Sequence, residues 1–191
     1  MKTTTNATSG TPRLLAFAAL ALAALVAPPQ SVSAQSAPPG FAEEFLGQFE
    51  SSARKLVALA EAMPAEKFDW RPGEGVASVV EVYMHIAHYN YMYPEENLGI
   101  AAPASAAGHG AWEGTVTDKD EAVRILSASM DHVRKVAAGM GSADMEKATR
   151  LYGRDVAQWA VLLQLVAHMN EHLGQSIAYS RMNGVAPPWA R

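Results

Sequence analysis

Trp159-Ala-Val-Leu-Leu-Gln-Leu-Val-Ala-His168-Met-Asn-Glu-His172-Leu-Gly-Gln175 is the stretch whose reading decides the fold. Leu162, Leu165, Val166, Met169 and Leu173 recur at helical spacing and give one wide apolar face. The pattern predicts a helix from near Gly153-Arg154-Asp155 to Asn183-Gly184. Gly184 suits the residue just past a helix end, and Pro187-Pro188 prevents continuation.

Three more helices follow on moving towards the N-terminus. Thr117 or Asp118 can cap a helix to about Gly139, with Val123, Leu126, Met130, Val133 and Ala137 as its stripe and Gly139 and Gly141 as its stop. Residues 99–117, rich in Ala, Gly and Pro, predict a long loop over one end of the domain. Ser78 followed by Glu81 is a capping box, which starts a helix from about Val79 to Tyr93, limited by Pro94. Residues 64–77 form a connection in which Phe68 and Trp70 are expected to pack inward. Phe45, Phe49, Leu56, Leu59 and Met63 define the first helix, Phe41 to Met63, ended by Pro64. No strand pattern and no internal repeat is found. Four amphipathic helices in one domain predict an all-α four-helix bundle with a long loop between the second and third helices.

The first 34 residues do not belong to that bundle. Lys2 and Arg13 precede an apolar run, Leu14 to Val26. Val32-Ser33-Ala34 then offers a small-residue cleavage site. This is the pattern of a secretory signal peptide, residues 1–34, cleaved after Ala34. Thirteen apolar residues are too few for a membrane anchor, which takes about 20. Export places the mature domain, residues 35–191, in the periplasm or outside the cell, with no membrane attachment after cleavage. Residues 35–40 form a short lead. Loss of Lys2 and Arg13 leaves 13 basic against 19 acidic residues. No clustered basic face marks a nucleic-acid partner. The chain has no cysteine, so a metal must be held by nitrogen or oxygen.

His168 and His172 are four apart, rotated by only about 40° on a helix, which suits two adjacent ligands of one ion. A third ligand must come from a facing helix. His109, in the loop, and His132, beside Asp131 and Arg134, are expected to face solvent. His85 and His88 both lie on the second helix, about 60° apart in orientation, and periodicity does not choose between them. The plainer reading is a pair of polar side chains on a partly exposed stripe. A sharper rival is the inverted zinc-protease motif His-x-x-Glu-His, with Glu171 as general base.

Two blocks of the chain resemble the DinB / YfiT-like superfamily of metal-binding four-helix bundles. One is Ala62-Met-Pro-Ala-Glu-Lys-Phe-Asp-Trp-Arg-Pro72 with Gly75-Val-Ala-Ser78. The other is Ala167-His-Met-Asn-Glu-His-Leu-Gly-Gln175 with Tyr179-Ser-Arg-Met-Asn-Gly184 and Pro187-Pro188. The resemblance covers nearly all of residues 35–191. It implies that His85, seven residues after Ser78, is the third ligand, so that His85, His168 and His172 hold one divalent metal ion. A His-only site suits zinc or nickel first, then iron or copper. The resemblance further implies either a metal-dependent hydrolase or a thiol S-transferase, acting on a small-molecule substrate, and dimerisation through bundle faces. Glu171, Gln175, Tyr89 and Tyr179 are candidates for proton transfer or support of the ligands. The alternative is a non-catalytic binding or structural module stabilised by its metal.

Overall fold

The computed structural model describes residues 36–190. The leader assigned to residues 1–34 lies outside them. Six α-helices occur among the described residues: α1 (Phe41–Ala62), α2 (Val79–Tyr93), α3 (Trp112–Thr115), α4 (Lys119–Gly139), α5 (Ser142–Met145) and α6 (Trp159–Met182). The four long ones form the bundle. α1 packs on α4 and α6, and α2 packs on the same two. Helices adjacent in sequence, α1 and α2, therefore sit diagonally, joined across the bundle by residues 63–78. No helix among the described residues is long and apolar enough to cross a membrane.

Each local signal that starts α2 is realised. Ser78 Oγ accepts from the Glu81 N–H at 3.3 Å, and a Glu81 carboxylate oxygen accepts from the Ser78 N–H at 2.6 Å. The connection before it is pinned to the helix start, since the Val79 and Val80 N–H groups donate to the carbonyls of Trp70 and Phe68. Phe68 is buried and Trp70 packs edge-on to Tyr179. α4 starts where Asp118 accepts from the Glu121 N–H.

Apolar side chains fill the interior, among them Phe49 and Leu56 of α1, Met84 and Ile86 of α2, Leu126 and Met130 of α4, and Leu162 and Leu165 of α6. Polar pairs fix how the helices meet. Ser52 Oγ donates to Asn170 Oδ1 at 2.6 Å, joining α1 to α6. Buried Asn90 donates to Ser129 Oγ at 3.0 Å, joining α2 to α4. The Arg134 guanidinium forks onto the Glu50 carboxylate, joining α4 to α1. Asn90 and Ser129 are both buried, so a donor or acceptor left unpaired there is costly, and the pair helps to fix the register of α2 against α4.

Two expectations are corrected. A β-hairpin interrupts the all-helical reading: β1 (Ala148–Leu151) pairs antiparallel with β2 (Arg154–Ala157), Ala148 opposite Ala157. Four-residue strands are too short to show alternation, and the turn is Tyr152-Gly153 rather than the usual Asn-Gly. The hairpin uses residues 154–157, so α6 begins at Trp159 rather than near Gly153. The connection over residues 99–117 is long, as expected, and has short turns of its own. Single turns at Ala104–Ala106 and His109–Ala111 lead into α3, which packs along α2.

Removing the cap oxygen by Ser78→Ala should destabilise the fold by about 1 kcal/mol. The thermal midpoint should drop by ~2–4 °C. An unchanged midpoint in calorimetry would show that the cap does not fix the start of α2.

Candidate metal centre

His85 enters from α2, two turns after its Ser78 cap. His168 and His172 enter from α6, one turn apart. One ring nitrogen from each lies within 4.8 Å of the others, and His85 Nε2 stands 3.1 Å from His168 Nε2. Two nitrogens bound to one tetrahedral zinc at 2.0–2.1 Å would stand about 3.3 Å apart. The spacing fits one ion shared by three imidazoles.

The outer nitrogens decide the protonation of the inner ones. His85 Nδ1 meets Glu113 Oε1 at 2.9 Å. A carboxylate only accepts, so His85 carries its proton on Nδ1 and turns a bare Nε2 inward. For His172 the argument runs along a chain. The Ala77 carbonyl can only accept, so Tyr179 Oη donates to it, at 3.1 Å. Tyr179 therefore accepts from Gln175 Nε2, at 3.0 Å. Gln175 is left with Oε1 facing His172 Nδ1 at 2.8 Å, so His172 Nδ1 donates. His172 Nε2 is thus also a bare lone pair. The backbone of the connection before α2 sets the tautomer of a ligand on α6.

His168 is buried, with the Tyr89 ring 4.5 Å and the Tyr93 ring 6.0 Å from its own. Burial, with His172 and His85 beside it, pushes its imidazole down to about 3. His168 therefore stays neutral, and the lone pairs that His85 and His172 turn towards it complete a donor set suited to a divalent cation.

The structure brings together His85, His168 and His172, and places Tyr89 over two of them: its ring is 4.5 Å from those of His85 and His168. Gln175 and Tyr179 support His172. Glu171 lies exposed on α6 and does not join the cluster, which removes the general base of the inverted zinc-protease reading. The carboxylate at the site is Glu113, which sequence reasoning missed. It sits on α3, a helix too short for periodicity to reveal, 28 residues from the histidine it contacts.

The other three histidines form a second group. His88 Nδ1 meets His109 Nδ1 at 2.8 Å, and His109 Nε2 meets Glu95 at 3.2 Å. The His109 side chain is only 13% exposed, contrary to the solvated loop residue expected. His132 is also partly buried, its ring 4.9 Å from that of Tyr91. The turn at His109–Ala111 lays His109 onto α2, and this packing is invisible in local sequence.

Fold and site together define a helical bundle with a three-histidine cluster between two of its helices. The chain belongs to the DinB superfamily, whose profile matches residues 48–179. Among curated proteins none matches it. Solved structures share the fold, three of them as follows. A DinB-like protein of Bacillus cereus is 16% identical with a TM-score of 0.66, covering 78% of this chain and 97% of its own. YfiT from Bacillus subtilis, described as a probable metal-dependent hydrolase with an unusual four-helix bundle topology, is 17% identical with a TM-score of 0.61. The match covers 80% of this chain and 93% of that one. The DinB-like YjoA of Bacillus subtilis is 19% identical with a TM-score of 0.55, covering 74% and 92%.

An unfolded histidine takes up its proton near pH 6.5, whereas folded His168 resists until about 3. Between these values the unfolded chain binds the extra proton, so acidification favours unfolding. The chelator-treated protein should lose stability as pH falls from 6.5 towards 3, and His168 should contribute nothing to pH dependence above that window. Urea midpoints measured across it should decline less steeply in a His168→Gln variant. Equal slopes would contradict the dry environment assigned to His168.

Proposed function

We propose that this chain is an exported, divalent-metal-dependent hydrolase whose ion is held by His85, His168 and His172. The observation that carries the reading is the enforced tautomer of two ligands, each turning a bare Nε2 towards one point. Zinc or nickel is the first choice for three neutral imidazoles, with iron or copper next. When bound, such an ion lowers the pKa of a water towards about 7 and polarises a carbonyl oxygen. The description of YfiT as a probable metal-dependent hydrolase supports the same class. The N-terminal pattern of Lys2, Arg13, the Leu14–Val26 run and Val32-Ser33-Ala34 supports export. Export separates the chain from cytosolic low-molecular-weight thiols, which favours water over a thiol as the attacking group.

The reaction proposed adds the water oxygen to a substrate acyl carbon and breaks the carbon–heteroatom bond, so that the leaving alcohol or amine departs with a proton. The chain supplies three services. Glu113 and the Gln175–Tyr179–Ala77 chain hold the ligands in their binding tautomers, a support whose loss typically costs 10–100-fold in metal affinity. Tyr93 and Tyr89 cover His168 and exclude water from it. Burial raises the Tyr89 phenol above its ordinary range, so it remains a protonated donor at neutral pH. Its ring, 4.5 Å from those of His85 and His168, makes it our candidate to donate to charge developing on the substrate oxygen.

The purified protein should contain one equivalent of a divalent metal, and p-nitrophenyl ester hydrolysis should stop on chelation and return on reloading. His172→Ala should lose both metal and activity. Tyr89→Phe should keep its metal and lose about 10²–10³-fold in kcat. Full metal content in His172→Ala, measured by plasma mass spectrometry, would remove the site from the account. Loss of metal from Tyr89→Phe would make that residue structural instead.

A further inference from the structure

A cavity of about 490 Å³ lies between the hairpin and the first half of α6. That is within the ~300–1,000 Å³ range of small-molecule sites. Its walls are largely apolar, with Leu151 and Val156 from the hairpin and Trp159, Ala160 and Leu163 from α6. Leu163 leaves half its surface, 50%, exposed there. A single exposed leucine is ordinary, but this one stands among apolar neighbours, with Arg154 and Asp155 as the charged residues of the lining.

Farther along α6 the lining continues with half-buried Gln164 and exposed Ala167. Ala167 precedes His168 in the chain, and Gln164 sits one turn before it. The Gln164 amide donates to Tyr93 Oη at 3.4 Å, and the Tyr93 ring stands edge-on to His168. The hairpin is fastened to the same place. Tyr152, at the hairpin tip, shares a hydrogen bond with Tyr93 through their hydroxyls. Tyr152 has φ 50°, in the left-handed region where this turn favours Asn, Asp or Gly. A bulky side chain held in a disfavoured backbone conformation is a feature of functional positions, and here its hydroxyl ties one wall of the cavity to the helix that carries His85.

We propose that this cavity binds the apolar acyl or aryl group of the substrate, so that the substrate class is a lipophilic carboxylic ester or amide with its carbonyl at the three histidines. The inference rests on the hydrolase reading above. Eight residues separate Ala160 from His168, about 12 Å along the helix, which an extended medium-length acyl chain spans.

The test compares acetohydroxamic and octanohydroxamic acid, whose shared head group binds metal, by calorimetric titration of the zinc-loaded protein. Burial of methylenes gains up to about fourfold each, so octanohydroxamate should bind at least ~100-fold more tightly. Ala160→Trp, which fills the cavity, should collapse that ratio below tenfold. Leu163→Ser, on the exposed wall and harmless to the core, should reduce it. An undiminished ratio in both variants would place the chain elsewhere and overturn the proposal, leaving the metal reading intact. If neither hydroxamate binds, the metal reading fails, and octanoate titrated into metal-free protein decides the cavity alone. Binding that Ala160→Trp abolishes supports it, and no binding overturns it.

Discussion

The outer partners of two histidines supply the governing constraint: Glu113 and Gln175 turn the Nε2 atoms of His85 and His172 inward, where His168 Nε2 stands 3.1 Å from that of His85. His85 and His172 cannot relax by moving a proton inward, because Glu113 and Gln175 each accept only from the outer nitrogen. Burial and the neighbouring imidazoles hold His168 well below the ordinary histidine range, so it stays neutral beside them. The result is a pocket preorganised for a divalent ion.

The bundle distributes this constraint among its interfaces. Three of the four main helix contacts are each fixed by one polar pair: Ser52–Asn170, Asn90–Ser129 and Glu50–Arg134. The fourth, between α2 and α6, holds the histidine cluster beside the Gln164–Tyr93 hydrogen bond. A metal bound there would tie the two helices together, so its affinity would add to fold stability. The diagonal placement of α1 and α2 matters as well. It requires the long connection through residues 63–78, and that connection delivers the Ala77 carbonyl that orders Tyr179, Gln175 and His172 in turn.

What was legible in the sequence was local. Ser78 and Glu81 announce α2, Pro64 ends the first helix, and the four-residue spacing of His168 and His172 puts two ligands on one face, whereas Pro94 does not stop the second helix but opens a π turn that carries it to Leu98. His85 was separable from His88 only through the resemblance of the flanking blocks, because the two lie on one helix at similar positions. The rest depended on contacts between distant residues. Nothing near Glu113 in sequence signals that it meets His85, and His109 leaves solvent only because its turn packs on α2. The hairpin escaped because its strands are four residues long and its turn carries a tyrosine at positive φ. The second histidine group, His88, His109 and His132, was unreadable for the same reason: its members come from three separate elements.

The central claim is that three Nε2 atoms converge on a single ion. A crystal structure of protein purified without chelator or added metal, with data on both sides of the absorption edge of the metal it contains, tests it most directly. The account predicts one anomalous peak about 2.0–2.1 Å from Nε2 of each of His85, His168 and His172. Their Nδ1 atoms should still face Glu113 and Gln175 where those two ligands have such partners. A peak bound through Nδ1 of His85 or His172, or none at this cluster, would contradict it.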